Sequence, residues 1–186
     1  VHFGGFPLDT YELRSILKER SIAIINDAAH ALPSSLNGIL IGSEESADIT
    51  VFSFYANKTI TTGEGGMIST RNVDLFNRMS LMRLHGMNKN AYKIKNDKIY
   101  NPDYDVIEAG FKYNITDIAS SIGRVQLKKL RGFAKKRNIV AERYYSKLNH
   151  RSVILPPNVN SKSNHAWHLF PIQIVEDENI NAKKIM

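Results

Sequence analysis

The chain has 186 residues, of which 42% are hydrophobic and 23% are charged, a composition typical of a globular protein with one sizeable core. It contains no cysteine, which excludes disulfides, thiolate nucleophiles and cysteine-ligated metals. No stretch approaches the roughly 18 consecutive apolar residues of a membrane span, and the start VHFGGFPLDT lacks the layout of a signal peptide. We therefore expect a soluble protein, with the cytoplasm as its default location and no membrane partner.

The formal net charge of +7 suits an anionic partner, either a nucleic acid or a small substrate. The densest basic runs, at 128–131 and 135–137, lie in a helical pattern, where a solvent-exposed face is the favoured interpretation. No zinc-finger, RRM or KH signature accompanies them. The sequence therefore predicts no nucleic-acid partner, and small anionic substrates would benefit from the same positive field.

Strand and helix patterns alternate along the chain. Asp9 and Thr116 are candidate N-caps for helices predicted at roughly 10–20 and 116–149, and helical spacing also occurs at 72–84. The apolar run SIAIIND predicts a parallel strand buried on both faces, and ADITVFSF and GGMIST predict two more strands. This alternation is typical of an α/β sheet, whose ligand sites lie beyond the carboxyl ends of the strands.

Other segments are less regular. Residues 87–108 are polar without periodicity and predict either a surface loop or an excursion that reaches a partner or a substrate. Residues 165–175, HAWHLFPIQIV, alternate like a strand of a second unit. We therefore divide the chain into part of a large domain at 1–125 and a linker helix with part of a small domain at 126–186. Because the chain begins where a strand has just ended and stops at the start of a helical pattern, we expect it to be the middle of a longer protein.

Residues 52–68, FSFYANKTITTGEGGMI, place a single lysine between a strand end and a cluster of glycines. The order is the reverse of a P-loop, in which the lysine follows the glycines. Taken alone, Lys58 would be an ordinary surface charge. Thr59, Thr61 and Thr62 supply hydroxyls beside it, however, and the glycines permit close backbone approach. A desolvated lysine is a nucleophile for aldehydes, which is Schiff-base chemistry.

Three further candidates lie at or just beyond the predicted strand ends. Asp27 ends an apolar strand, where a carboxylate serves as a metal ligand, as a helix N-cap or as the partner of the pyridinium nitrogen in pyridoxal-phosphate enzymes. His30 either flanks the same ring or is an ordinary packed or capping histidine. Ser53 either binds a phosphate at the strand end or is an ordinary strand serine. The spacing leaves these alternatives open.

Four segments together carry a family resemblance: IINDAAHA, ADITVFSFYANKTITTGEGGMIST, RLHGM and GFKYNITDIASSIGRVQLKKL. In this order and spacing they resemble the nucleotide-sugar aminotransferases of the DegT/StrS type, and the lysine block with TTGEGG is the most specific of them. The resemblance covers essentially the whole chain. It implies a fold-type I pyridoxal-phosphate enzyme, here part of the large α/β domain, with a mostly parallel sheet flanked by helices, and the start of a small α+β C-terminal domain.

The resemblance implies roles for five residues. Lys58 matches the lysine that holds pyridoxal 5'-phosphate covalently and moves the proton between cofactor and substrate. Asp27 matches the partner of the pyridinium nitrogen, and His30 matches the residue that contacts the ring near its 3-hydroxyl. Ser53 matches the phosphate-binding serine. Asn114 matches the asparagine that reaches the cofactor phosphate of the neighbouring subunit, which implies a homodimer.

The remaining matches carry weaker implications. Arg83 and His85 match a recurrent loop without an assigned role, and Tyr55 and Asn57 are placed along the sugar site. Part of the segment HAWH matches the start of the small domain, where the implied role is structural; these residues are His165, Trp167 and His168.

The implied reaction is transfer of an amino group from glutamate to a 3-keto or 4-keto nucleotide sugar, for polysaccharide, lipopolysaccharide or amino-sugar biosynthesis. Relatives that dehydrate sugars carry histidine at the lysine position, so Lys58 favours amino transfer. The family also has a portion before the segment VHFGGFPLD that completes the phosphate site and stacks on the ring. Three hypotheses stay open: a piece of an active aminotransferase, a catalytically inactive remnant that folds or dimerises, and an α/β binding module for anionic ligands.

Overall fold

The computed structural model describes residues 1–17, 20–88, 93–95, 98–100, 105–148 and 150–175. In chain order its elements are a 3-10 turn (Phe3–Gly5), α1 (Thr10–Ile16), β1 (Ile25–Asp27), β2 (Ser35–Leu36), β3 (Ile39–Leu40), β4 (Ile49–Ser53), β5 (Gly66–Ser69), α2 (Val73–Met82), β6 (Lys93–Lys95), β7 (Lys98–Tyr100), α3 (Asp117–Lys147), β8 (Val153–Ile154) and β9 (Gln173–Ile174). Within these ranges, none of the helices has both the length and the apolar character needed to cross a membrane.

The central sheet has three strands in the order β1-β4-β5. β1 runs parallel to β4 with Asp27 opposite Val51, and β4 runs antiparallel to β5 with Val51 opposite Ile68. Since alternate residues of a strand share a face, Asp27 lies on the same face as Ile25, Val51 and Ile68. These three apolar side chains are 64%, 36% and 50% exposed. The expectation that β1 is buried on both faces is therefore wrong for the described residues, because no described element covers this face.

The opposite face of the sheet carries the hydrophobic core. Phe52 and Phe54 pack there in one cluster with Leu130 of α3, and Phe133 packs against the cluster from the next turn of that helix. The other buried members are Ala28, Ala31, Ile41 and Ile60. Burial of these side chains removes apolar surface from water and holds α3 against the lysine-bearing loop that follows β4.

The predicted helix starts are confirmed. The Asp9 carboxylate accepts hydrogen bonds from the backbone N–H groups of Tyr11 and Glu12 at 2.9 and 3.1 Å, and Thr116 Oγ1 accepts from the N–H of Ala119 at 3.2 Å. Each cap satisfies N–H groups that have no partner inside the first turn of a helix. The helix that Asp9 caps is shorter than predicted, because α1 ends at Ile16.

Two sequence-based expectations about strands are wrong. β6 and β7 form an antiparallel hairpin inside 87–108, where we expected a loop; residues 89–92, 96–97 and 101–104 lie outside the described ranges. The strand predicted over 165–175 contracts to β9, which pairs with β8. The first half of the predicted segment is not a strand. The N–H groups of Ala166 and Leu169 donate hydrogen bonds to the carbonyls of the turn near the N-terminus instead.

That turn, at Gly4 and Gly5, joins distant segments of the chain. The Gly5 carbonyl accepts from the N–H of Ala166 at 3.2 Å, and the Gly4 carbonyl accepts from the N–H of Leu169 at 3.1 Å. The Gly4 N–H donates to Nδ1 of His30 at 3.3 Å. Both glycines have positive φ, +64° and +100°, which other residues rarely adopt. The turn therefore places His30 beside the segment that follows Ala166.

The predicted boundary between 125 and 126 falls inside α3, which is continuous through it. The division into 1–125 and 126–186 stays a prediction.

Replacement of Gly5 by alanine is expected to destabilise the protein by about 3 kcal/mol, through both backbone strain and overpacking. A Cβ atom at this position would lie 2.9 Å from the Cβ of Ala166 and 3.0 Å from the carbonyl oxygen of His30. Gly38→Ala is the matched control, since Gly38 has φ +85° but no heavy atom within 4 Å of an added Cβ. We expect a loss of only about 1 kcal/mol there, measured by urea unfolding. Equal losses in the two variants would contradict the packing role of Gly5.

His165 makes the stability of the fold sensitive to acid. Its ring stacks on Trp167 with centroids 3.6 Å apart, and it is 9% exposed. Burial lowers the pKa of His165 from the ordinary 6.5 to about 4. Between these two pH values the unfolded chain binds a proton at His165 that the folded chain does not. The contribution of the neutral His165 to the free energy of unfolding is therefore fully present above pH 6.5 and is lost as the pH falls towards 4.

The variant His165→Asn is expected to lose much of this pH dependence. Asparagine keeps an acceptor for the N–H of Trp167, which His165 Nδ1 accepts at 2.8 Å, but it does not titrate. In the native protein the contribution of His165 corresponds to a loss of up to roughly 3 kcal/mol between neutral pH and pH 4. Urea unfolding at several pH values measures the free energy of unfolding as a function of pH. If this dependence is the same in the variant and the native protein, His165 is not its source.

Candidate functional site

The parallel pairing of β1 and β4 brings two predicted site residues to one edge of the sheet. Asp27 ends β1 opposite Val51, and Ser53 ends β4 two residues beyond that pair. The N–H of Ala28 donates to the carbonyl of Val51 at 2.8 Å, which continues the pairing past the strand end. Asp27 is exposed and Ser53 half-buried, so both side chains are accessible at the carboxyl edge.

The Asp27 carboxylate is free to pair with a cation. Its Oδ1 accepts from the N–H of Ala29 at 3.0 Å, and within the described ranges it forms no salt bridge. The backbone carbonyl of Asp27 is held by the N–H of His2 at 2.9 Å. Among the residues that the structure describes, no group of three or more His, Asp or Glu side chains is arranged to hold a metal ion. Among the described residues only the N–H of Ala29 donates to this carboxylate, so Oδ2 is open to a ligand.

The loop after β4 is built by its own hydroxyl groups. Thr61 Oγ1 donates to the carbonyl of Phe54 at 3.1 Å, and Thr62 Oγ1 donates to the carbonyl of Glu64 at 2.6 Å. These two threonines therefore stabilise the loop, and their hydroxyl protons are not left for a ligand. Ser53 differs, because its Oγ accepts from the N–H of Tyr55 at 3.3 Å and keeps its own proton to donate.

Lys58 follows this strand end and is half-buried. Its N–H donates to the carbonyl of Tyr55 at 3.0 Å, which fixes the backbone. The side chain lines a cavity of about 370 Å³ together with Thr59 and four residues of α3. The half-buried lysine thus lies in an open groove between its own loop and the long helix.

The pKa of His30 is affected in opposite directions by the Asp27 carboxylate and the Lys58 ammonium. Burial lowers the pKa of His30, the Lys58 ammonium lowers it further, and Asp27 opposes both effects. Since Nδ1 accepts a hydrogen bond from the N–H of Gly4, the neutral ring carries its proton on Nε2. His30 is therefore packed, as one interpretation of the sequence had it, and it also keeps an N–H group that can donate to a ligand.

His168 belongs to this cluster, although the sequence implied only a structural role for it. Its ring centroid lies 4.4 Å from that of His30. Burial lowers the pKa of His168 from 6.5 to about 4, and His30, Lys58 and Arg137 lower it in the same direction. His168 is thus neutral at pH 7. The sequence shows two histidines around the single tryptophan, but only the Gly4–Gly5 turn brings one of them to His30.

Arg137 and Lys136 were also missed, because their basic run resembles a solvent-exposed helix face. Both line the cavity that contains Lys58. A signal for Arg137 was present, since it follows the core residues Leu130 and Phe133 by seven and four positions and therefore lies on the same stripe of α3.

Asn114 lies in a separate cavity of about 520 Å³, lined by Glu64, Gly66 and the start of α3. Its Oδ1 accepts from Lys112 Nζ at 2.6 Å. The loop with Arg83 and His85 is joined to this segment, because the Arg83 carbonyl accepts from the N–H of Tyr113 at 2.9 Å. The structure thus forms two groups, with Asn114 apart from Lys58. Tyr55 and Asn57 are both exposed next to the lysine.

Comparison with known proteins identifies the family. The sequence model of the DegT/DnrJ/EryC1/StrS aminotransferase family matches residues 1–186. The chain belongs to this family.

Individual members of the family support this membership. The chain is 35% identical to the spore coat polysaccharide biosynthesis protein SpsC of Bacillus subtilis over 178 residues, which are 95% of this chain and 44% of that protein. Among solved structures, Helicobacter pylori PseC, an aminotransferase of pseudoaminic acid biosynthesis, superposes with a TM-score of 0.81 at 28% identity, covering 99% of this chain and 46% of that one. The putative sugar aminotransferase Spr1654 of Streptococcus pneumoniae in its PMP form gives 0.80 at 26% identity, with 93% and 48% covered.

These comparisons confirm the predicted family and the α/β fold class of its aminotransferases. The chain spans less than half the length of these relatives.

Proposed function

We propose that this protein is a pyridoxal-phosphate-dependent aminotransferase that moves an amino group from glutamate to a keto nucleotide sugar, in polysaccharide or amino-sugar biosynthesis in the cytoplasm. The observation that carries the proposal is the position of Lys58, which is half-buried and close enough to His30 and His168 to lower the pKa of both, while Asp27 acts on His30 from the neighbouring strand end. Family membership supports the reaction class, and the names of SpsC and PseC support a sugar pathway.

The residues present fit the cofactor. Lys58 offers an amine for covalent attachment, and Asp27 offers an unpaired carboxylate to hold a proton on the pyridine nitrogen. Ser53 offers a hydroxyl proton for the phosphate, and His30 offers an Nε2–H group for the ring oxygen. When bound, pyridoxal phosphate supplies an aldehyde that takes up the amino group and a ring that withdraws electrons.

The protein's own residues would then orient the reactants and move protons. Asp27 would hold the proton on the ring nitrogen through its negative charge, and no described cation forms a salt bridge with it. Lys58 Nζ would act as the base that accepts a proton from the substrate carbon and the acid that returns it. His30 and His168, neutral at pH 7, provide polar contacts without adding positive charge beside the lysine.

Pyridoxal phosphate is expected to form a coloured adduct with Lys58. Added cofactor should produce a visible absorption band, and borohydride reduction should leave a pyridoxyl group on the Lys58 peptide, detected by mass spectrometry. Lys58→Ala should abolish both signals. Lys135→Ala is the matched control, because Lys135 is an exposed lysine of α3 that lines neither the lysine cavity nor the strand ends, and it should leave both signals unchanged.

The same experiment separates the hypotheses that the sequence left open. Loss of the band on addition of glutamate indicates an active half-reaction. A stable band that glutamate does not change favours a catalytically inactive remnant. An adduct of equal yield in Lys58→Ala, or none at saturating cofactor, contradicts the proposed function and favours the anion-binding module.

We further propose that two copies form a homodimer in which Asn114 of one copy contributes to the cofactor site of the other. The separation of Asn114 from Lys58 within one chain supports this arrangement. Lys58→Ala alone should form no adduct, and Asn114→Ala alone should form one only at raised cofactor concentration.

Mixed in equal amounts at low cofactor, the two variants should recover about a quarter of the native adduct, since half the dimers would contain one intact site. Sedimentation velocity checks the dimer itself. A mixture no more reactive than Asn114→Ala would contradict a shared site.

A further inference from the structure

Two cavities meet at Lys136 and Arg137 on α3. One, of about 370 Å³, also contains Lys58 and Gln126; the other, of about 600 Å³, extends from the same two side chains along the helix to His168. Among the described residues that line either cavity, none is acidic. The cavity walls that the structure describes therefore supply no carboxylate to pair with Lys136 or Arg137.

Arg137 is placed where a guanidinium is costly without a partner. It is half-buried, and burial lowers the pKa of Arg137 below its ordinary value. Across the described ranges it forms neither a hydrogen bond nor a salt bridge with another side chain or carbonyl. A partly desolvated cation that has lost water contacts and gained no protein acceptor raises the free energy of the empty site, and an anionic ligand would remove this penalty.

The ligand class follows from the shape of the cations. The planar guanidinium of Arg137 matches the two oxygens of a carboxylate or phosphate in a bidentate contact, and Lys136 adds a second positive charge. His168, at the wall shared with Arg137, is neutral at pH 7 and can donate one further hydrogen bond. The cluster therefore favours an oxyanion over a neutral polar group.

We propose that Lys136 and Arg137 bind an oxyanion of a substrate and hold it in the cavity that Lys58 lines. The oxyanion is either a carboxylate of the amino donor or the diphosphate of a nucleotide sugar. That the ligand is a substrate rests on the proposed function, but the binding of the anion itself does not, because it requires no cofactor and no reaction.

The test is calorimetric titration of the cofactor-free protein with glutarate and with inorganic pyrophosphate. The native protein should bind at least one of them at a single site, and Arg137→Gln should weaken that binding about tenfold or more. Lys135→Gln is the matched control, since it removes one positive charge from the opposite side of the same helix, and it should change the affinity less than about twofold.

The two probes distinguish the two sources of the anion. Preferential loss of glutarate binding in Arg137→Gln assigns the cluster to the donor carboxylate, and preferential loss of pyrophosphate binding assigns it to the nucleotide diphosphate. Arg137→Lys keeps the charge and the aliphatic stem, so it should bind with intermediate affinity. If circular dichroism shows that Arg137→Gln is unfolded, the affinity of Arg137→Lys is compared with that of the native protein instead.

Three results would overturn the proposal. The first is absence of binding of both probes by the native protein, and the second is equal weakening in Arg137→Gln and Lys135→Gln. The third is a loss of affinity in Arg137→Gln for pyridoxal phosphate but not for pyridoxal, which would assign the cluster to the cofactor phosphate. Anion binding that persists when no Lys58 adduct forms would instead contradict the proposed function and leave this inference standing.

Discussion

The backbone turn at Gly4 and Gly5 is the contact on which the site depends. Its carbonyls accept hydrogen bonds from the N–H groups of Ala166 and Leu169, and its Gly4 N–H donates to the ring of His30. Positive φ at both glycines allows this close approach of three chain segments. Without the turn, His30 and His168 would belong to separate parts of the chain, and the cavity that adjoins the lysine cavity at Lys136 and Arg137 would lose His168 from its wall.

The charges around the site are separated in a way that suits a cofactor with a cationic ring and an anionic phosphate. An unpaired carboxylate, Asp27, lies at the open edge of the sheet. Lys58 and Arg137 lie on the side of α3, and the packed pair of His30 and His168 stays neutral between them because burial disfavours its protonation. Among the described residues none of these three charged groups forms a salt bridge, and for the partly desolvated Arg137 this is costly unless a ligand completes the pair.

Residues whose role depends on local chemistry could be predicted from the sequence. Asp9 and Thr116 cap their helices as expected, because a cap needs only the next three residues. Asp27 and Ser53 lie at one sheet edge because parallel strands end together. Arg137 was missed because it lies in a basic run typical of a solvent-exposed helix face, although its spacing from Leu130 and Phe133 places it on the buried stripe of α3. The hairpin of β6 and β7 was missed because cross-strand pairing leaves no periodicity in so short a segment.

The sequence by itself determined the family, the position of the lysine and the chemistry that it implies, because the order and spacing of a few short motifs are specific enough for that. It also determined where helices begin, which is a property of neighbouring residues. Only the tertiary structure decided which distant groups share the lysine's surroundings. His168 comes to the site through the Gly4–Gly5 turn, and Arg137 comes to it through the packing of α3 on Phe52 and Phe54. Such contacts arise from how whole elements pack, so the sequence does not show which distant groups each residue meets.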